Sequence, residues 1–280
     1  MNKKDFPLLN RKINGFNLVY LNSSATTQKP KIVIDSVKEF YEKFNANVHR
    51  DSSLLGNETE KIYNESRKKV ADFLNSSMEE IVFTKSCTEA INIVAFGLNL
   101  KRGDKVVVTV ANHHSNFVPW KILERRGVIV EILKVNKDGK IKFDIEKIKN
   151  AKILALTHLS NVLGNVVDVK KICDLAHEQK CLVLVDAAQS IGKMRIDVQE
   201  LGCDFLTFSG HKMFAINGVG VLYGKKGLLE ILRPLVYGGD MIKSVSFNKI
   251  EFAEVPRKFE GGTQNIAAVY SLGKAIDYID

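Results

Sequence analysis

The sequence lacks several features that would assign it to particular classes of protein. No run of apolar residues reaches the roughly 20 that a membrane-spanning helix needs, so no association with a membrane is expected. Residues 1–7 include lysines but no apolar core behind them, which argues against a secretory signal. No internal repeat, low-complexity tract or linker is visible. These absences predict a globular, cytoplasmic protein.

Cysteine is scarce, and its spacing excludes two further classes. The four cysteines, Cys87, Cys173, Cys181 and Cys203, include no C-x-x-C pair. A zinc site or a disulfide framework is therefore not expected, and we predict no metal. Because no export signal is visible, we expect the four cysteines to be reduced thiols, as in the cytosol.

Charge gives no sign of a nucleic-acid partner. The formal net charge is +9, but the positive residues are scattered along the chain. No basic patch interleaved with aromatic residues occurs of the kind that nucleic-acid readers use, so we predict no nucleic-acid binding. Apolar residues make up 45% of the sequence and charged residues 26%, which is ordinary for a globular protein.

Strand-like and helix-like segments alternate along the chain. Apolar runs predict strands at 105–110, 128–135, 152–157, 182–186, 205–209 and 218–223. Helical spacing of apolar residues predicts helices at 32–44, 58–74, 88–98, 117–126, 169–179 and from 267 onward. This alternation predicts an α/β layer architecture.

Asp186 and Gln189 follow the apolar run 182–185 directly. Buried parallel strands deliver the polar residues at their ends to the carboxyl edge of a sheet. A carboxylate there can pair with a protonated ring nitrogen, a charge-assisted hydrogen bond worth roughly 1.5–3 kcal/mol. Asp186 could instead cap a following helix, and Gln189 could face solvent.

Lys212 ends a second run of this kind, in which apolar residues 205–208 lead into Ser209, Gly210 and His211. Lysine rarely lies near a core without a function, and a desolvated amine suits covalent attachment to a carbonyl. The side chains of Ser209 and His211 can donate hydrogen bonds to a phosphate. The alternative is a loop lysine in water.

Thr88 and His113 add two more polar groups next to apolar runs. Thr88 lies at a predicted helix start after apolar residues 81–83, where hydroxyls and free amides bind anions. An ordinary Ser/Thr helix cap would have the same sequence. His113 and His114 follow the run 106–110, where a histidine can stack on an aromatic ring and transfer protons. They could also be a loop pair without a role.

An amine, a carboxylate and anion-binding groups at one sheet edge are what pyridoxal 5'-phosphate requires. The lysine attaches to the cofactor, and the carboxylate keeps the ring nitrogen protonated so that the ring accepts electrons. We therefore predict pyridoxal 5'-phosphate as the cofactor.

Longer segments resemble the class V aminotransferase family, and within it the SUF-type cysteine desulfurases and selenocysteine lyases. They run almost end to end in the family's order: 20–30 (YLNSSATTQKP), 47–50 (NVHR), 88–92 (TEAIN), 113–120 (HHSNFVPW), 157–164 (THLSNVLG), 186–189 (DAAQ), 209–212 (SGHK) and 259–265 (FEGGTQN). The segments at 113–120 and 157–164 favour the SUF-type branch.

The resemblance implies a role for each matching residue. Lys212 would carry the cofactor, and His113 would stack over its ring and assist proton transfer. Asp186 and Gln189 would tune the ring. Thr88, Ser209 and His211 would hold the phosphate, and Thr263 would reach the cofactor of the neighbouring subunit in a homodimer. Asn161 would contact the cofactor and the substrate, and His49 would lie near the substrate.

The resemblance also implies an architecture, a type I fold of pyridoxal phosphate-dependent transferases with a mainly parallel central sheet and helices on both faces. Residues 1–30 would form an arm on the substrate side, and residues 31–265 the large cofactor-binding domain. Residues 266–280 would start the helix that leads to a C-terminal domain.

The reaction implied is conversion of L-cysteine to L-alanine, with the sulfur kept as a persulfide on an enzyme cysteine. L-Selenocysteine is a second candidate substrate. The sulfur would pass through a scaffold protein to iron–sulfur cluster assembly.

Two functional features of the family have no match in this sequence, one a segment and the other a single arginine. They are the Arg-x-Gly-x-x-Cys-type segment with the nucleophile and the arginine that binds the substrate carboxylate. Cys87 stands where the family commonly has a hydroxyl residue and is not expected to accept sulfur. We therefore expect a fragment or truncated product whose 280 residues alone do not turn over cysteine. The alternatives are another class V lyase or aminotransferase, or a non-catalytic homologue that dimerises or binds a partner.

Overall fold

A computed structural model describes residues 2–280. Among these residues the strands are β1 Lys12–Ile13, β2 Phe16–Asn17, β3 Ile81–Thr84, β4 Lys105–Thr109, β5 Ile129–Leu133, β6 Ala151–Thr157, β7 Leu182–Asp186, β8 Phe205–Ser209, β9 Gly220–Gly224, β10 Ile242–Val245 and β11 Ile250–Phe252.

Helices lie before, between and after these strands in the sequence. The α-helices are α1 Lys31–Lys43, α2 Leu54–Leu74, α3 Cys87–Gly97, α4 Val118–Leu123, α5 Ile145–Ile148, α6 Val169–Glu178, α7 Val198–Leu201, α8 Lys226–Ile231 and α9 Ile266–Ile279. Short 3₁₀ helices lie at Lys3–Asp5, Pro7–Asn10, Met78–Glu80, His114–Asn116, Glu124–Arg126, Gly210–Lys212 and Arg257–Phe259. Within residues 2–280, no helix combines the length and apolarity needed to cross a membrane.

Seven strands form the central sheet, in the order β3-β9-β8-β7-β6-β4-β5. The five strands from β8 to β5 run parallel, whereas β9 is antiparallel to both of its neighbours. The predicted α/β fold with a mainly parallel sheet is therefore confirmed.

Both faces of the sheet are buried, which explains why its strands are almost continuously apolar. Alternate residues of one strand enter different cores: Leu154 joins the core that includes α2, α6 and α9, and Ala155 joins the core that includes α3 and α4. Helix α6 is an example of an amphipathic helix with a side-chain cap. It buries Ile172 and Ala176, and the Asp168 carboxylate caps its N-terminus.

Several elements differ from the sequence prediction; for example, no strand was predicted at β1, β2, β10 or β11. Strand β3 was not predicted as a strand, and it pairs antiparallel with β9, about 140 residues later in the chain. A four-residue edge strand with so distant a partner has little local signal. The helix predicted at 117–126 is α4 followed by a 3₁₀ turn at Glu124–Arg126.

The division into domains stays a prediction. In the structure, α9 buries most of its apolar residues against the core that also contains residues of α1 and α2. The N-terminal arm contacts the turn after β8, because the backbone N–H of Thr27 donates to the carbonyl of His211.

Candidate active site

The parallel register aligns the carboxyl ends of three central strands. Thr157 of β6 pairs with Asp186 of β7, and Asp186 pairs with Thr207 of β8. A cavity of about 440 Å³ opens at this edge. Eight of the ten predicted site residues line it: Thr88, His113, Asn161, Asp186, Gln189, Ser209, His211 and Lys212. The other lining residues are Ser24, Ala25, Ser86, Cys87, Ser115, Thr157, Leu159 and Ala188.

Asp186 presents a buried carboxylate to this cavity. Its Oδ1 atom accepts hydrogen bonds from the Ala188 N–H at 3.0 Å and from the Cys87 thiol at 3.4 Å. Burial raises the pKa of Asp186, and these hydrogen bonds and the charges of Lys212 and His113 oppose the rise. Residues 188–193 form turns, and the next α-helix starts at Val198, so Asp186 is not a helix cap.

The start of α3 lines one side of the cavity with Ser86, Cys87 and Thr88. The backbone N–H of Cys87 donates to Ser209 Oγ at 2.8 Å, which joins the helix start to the end of β8. Gly220 permits this approach, since a Cβ there would lie 2.5 Å from the backbone carbon of Ser86. Thr88 Oγ1 lies 2.8 Å from Ser115 Oγ. Hydroxyls beside the positive end of an 11-residue helix suit a phosphate.

Two histidines lie beside these hydroxyls. His113 is exposed, and its Nδ1 atom lies 3.1 Å from Ser115 Oγ. His211 Nδ1 lies 3.1 Å from Thr26 Oγ1 on the N-terminal arm. Partial burial, followed by the charges of Lys212 and Lys29, lowers the pKa of His211. A lowered pKa favours the neutral imidazole, which can still form hydrogen bonds.

Lys212 ends the 3₁₀ turn that follows β8 and is half-buried. The N-terminal arm forms hydrogen bonds with this turn. The His211 carbonyl accepts from Thr27 Oγ1 at 3.0 Å and from Lys29 Nζ at 2.8 Å. Lys212 is therefore the last residue of an anchored turn, and it lines the cavity.

Two predicted residues lie away from the cavity. Thr263 lines two other depressions, of about 400 and 420 Å³. His49 does not line the cavity; its Nδ1 atom lies 3.3 Å from Glu60 Oε1, and its ring meets Tyr63 edge-on. The roles predicted for Thr263 and His49 stay predictions.

Several contacting residues were missed by sequence reasoning. Cys87 and Ser115 lie beside recognised motif residues, but nothing local shows that the Cys87 thiol reaches Asp186. Ser24 and Ala25 come from the distant arm. Lys193, four residues after Gln189, donates to the Gln189 side chain at 2.7 Å.

The residues present fit pyridoxal phosphate. The ring nitrogen would bind the Asp186 carboxylate. The hydrogen bonds from the Ala188 N–H and the Cys87 thiol both go to the Oδ1 atom of this carboxylate. The phosphate would meet the start of α3 with Ser209 and His211. Lys212 lines the same cavity. A mainly parallel α/β sheet that gathers these groups at its carboxyl edge is typical of pyridoxal phosphate-dependent enzymes.

Comparison with known proteins identifies the family. The family model for class V aminotransferases matches residues 19–280. A probable cysteine desulfurase of Halalkalibacterium halodurans is 47% identical over 99% of this chain and 70% of its own length. The chain belongs to the class V aminotransferase family, in the group of the cysteine desulfurases.

The chain is also similar to solved structures of cysteine desulfurases. The apo structure of a cysteine desulfurase from Thermococcus onnurineus NA1 has a TM-score of 0.93 at 39% identity, covering 99% of this chain and 69% of its own. A cysteine desulfurase from Escherichia coli, in an S-sulfonic acid form, has a TM-score of 0.85 at 36% identity, covering 99% and 70%.

Proposed function

We propose that this chain forms the pyridoxal phosphate-binding region of an enzyme that converts L-cysteine to L-alanine. The observation that carries the proposal is the convergence of Lys212 and Asp186 on one cavity whose other side is the start of α3. When bound, the cofactor supplies an electron sink for the substrate carbon. The carbon skeleton leaves as alanine, and the sulfur leaves as a persulfide on an acceptor thiol.

Each of the eight predicted residues that line the cavity has a proposed task. Lys212 Nζ attaches to the cofactor and moves the substrate proton. Asp186 holds the proton on the ring nitrogen, and His113 covers the ring face. Gln189 donates to the ring oxygen, and Asn161 orients the substrate. The phosphate is bound by three side chains beside the start of α3: Thr88, Ser209 and His211.

The acceptor thiol is proposed to come from outside these 280 residues. All four cysteines are buried. Burial raises the pKa of Cys173 and of Cys181 to about 12, and it raises the pKa of Cys87 and of Cys203 as well. A buried neutral thiol is a poor nucleophile.

A homodimer is part of the proposal. Thr263 lines a depression together with Leu235 and Val236, which are 39% and 51% exposed. Beside them Tyr237 is also exposed, and Phe247 lies fully exposed between β10 and β11. An apolar surface of this kind favours burial against a second copy. Transfer of the sulfur to a scaffold protein for iron–sulfur cluster assembly remains an expectation from the family.

The test is an absorption spectrum of the purified chain with pyridoxal phosphate, before and after borohydride reduction. We expect a visible band that borohydride converts into a covalent adduct on Lys212, located by peptide mapping. Lys212→Ala should abolish the adduct, whereas Lys225→Ala, at a lysine paired with Asp204, should retain it.

Two other functions make different predictions in this experiment. A non-catalytic binding module predicts no adduct in a chain shown to be folded by circular dichroism. Another class V lyase or aminotransferase predicts an adduct whose spectrum responds to a different amino acid. L-cysteine should change the band more than L-alanine or L-serine does.

A further inference from the structure

The side chain of Gln189 is held in one orientation by two partners. Its Oε1 atom accepts from Lys193 Nζ at 2.7 Å, and its Nε2 atom donates to the carbonyl oxygen of Ser24 at 2.6 Å. An ammonium group only donates, and a backbone carbonyl only accepts. Rotating the amide by 180° would break both hydrogen bonds, so the positions of its oxygen and nitrogen are fixed by chemistry.

This orientation decides what Gln189 offers to the cavity. Gln189 is 6% exposed and lines the cavity beside Asp186 and Lys212. Its Nε2 atom has two hydrogens, and the Ser24 carbonyl uses one. The second hydrogen is available to an acceptor in the cavity. The opposite orientation would present a carbonyl oxygen, which repels the anionic ring oxygen of a bound cofactor.

Lys193 reaches Gln189 through a tight turn against the Lys212 loop. Gly192 has a φ of +70°, and a Cβ at this residue would lie 2.9 Å from the Cβ of Met213. Lys193 itself is exposed, although its ammonium group donates to the buried Gln189. Partial burial of the ammonium, and then the charge of Lys212, lower the pKa of Lys193.

We propose that Lys193 is a positioning residue that orients the Gln189 amide for cofactor binding. It acts through Gln189 and does not touch the cofactor. This inference rests on the proposed function, because the acceptor in the cavity is the ring oxygen of pyridoxal phosphate.

The test is a double-mutant cycle with pyridoxal phosphate as the ligand. Dissociation constants are measured from the visible band for the wild type, Lys193→Met, Gln189→Ala and the double variant. One hydrogen bond corresponds to a change of about 2- to 13-fold, so we expect Lys193→Met to weaken binding by about 5-fold. On the Gln189→Ala background the same change should have an effect below about 2-fold, because the residue through which Lys193 acts is gone.

Two further variants separate orientation from fold and from general charge. Lys193→Arg keeps a donor-only group and should restore affinity to within about 2-fold of the wild type. Lys170→Met removes an exposed lysine of α6 that pairs with Asp174, and it should change nothing. The pH at which the visible band titrates should shift in Lys193→Met and return in Lys193→Arg, since the partner of the ring oxygen changes.

Three results would overturn the inference. Unchanged affinity and an unchanged band titration in Lys193→Met would show that the amide needs no such partner. An equal loss on the Gln189→Ala background would show that Lys193 acts directly through its charge. Failure of the arginine variant to restore binding would also contradict it. If Lys193→Met does not fold, Lys193→Leu, which also removes the donor, gives the same comparison. Absence of a trapped adduct in the wild type would instead refute the proposed function itself.

Discussion

Replacing Glu260 by alanine should be among the most destabilising changes in this chain. Glu260 accepts four hydrogen bonds: from Arg67 Nη1 at 2.9 Å and Nη2 at 2.7 Å, from the Phe83 N–H at 2.8 Å and from the Tyr63 hydroxyl at 3.0 Å. The side chains of Arg67 and Glu260 are only 6% and 2% exposed. The network joins α2, strand β3 and the segment that leads to Thr263.

The magnitude follows from the charge that is left behind. Removal of one partner of a buried ion pair typically costs about 3–5 kcal/mol, because the other charge remains buried without compensation. The Arg67 guanidinium lies 4.5 and 5.2 Å from the ring centres of Phe83 and Tyr63, and it also donates to the carbonyl of Ile81, a neutral acceptor that does not balance its charge. For a chain of this size the loss corresponds to a fall in Tm of about 10 °C.

Urea and thermal unfolding, followed by circular dichroism, measure this loss. Asp174→Ala is the matched control, since it breaks the exposed pair of Lys170 and Asp174 and should cost less than about 1 kcal/mol. A loss below about 1 kcal/mol in Glu260→Ala would refute the reasoning, because it would mean that Arg67 finds water or another partner.

Two other predictions concern titrating groups. Burial lowers the pKa of Lys29 from 10.5 to about 8, so between these values the folded chain binds fewer protons than the unfolded chain and its stability contribution rises with pH. The stability of the wild type relative to Lys29→Met, measured by urea unfolding at pH 8 and pH 10, should increase; a constant difference would contradict this. The four cysteines, being buried with raised thiol pKa values, should react slowly with Ellman's reagent at pH 8 and fast after unfolding. Rapid modification of the folded chain would show that one thiol is accessible.

Local sequence signals were sufficient for the strands that carry the site. Asp186 and Lys212 each follow a short apolar run, and a buried parallel strand leaves such polar residues at the carboxyl edge of the sheet. Thr88 at the start of α3 was predicted in the same way. The roles of these residues remain predictions, but their gathering in one cavity follows from the order and direction of the strands.

Contacts between distant segments could not be read from the sequence. The thiol of Cys87 reaches Asp186 across 99 residues, and the Gln189 amide reaches Ser24 across 165. No periodicity or turn signal specifies such pairs. Strand β3 was missed for the same reason, because β9, with which it pairs in the sheet, is equally remote.

The sequence by itself determined the α/β class, the strands that end in Asp186 and Ser209, and the family to which the chain belongs. These properties depend on residue patterns within short windows or on motifs in a fixed order. The tertiary structure decided which side chains meet: the partners of Asp186, the orientation of Gln189 and the burial of all four thiols. Such properties depend on sheet register and on packing between segments far apart in the chain, which no local pattern encodes.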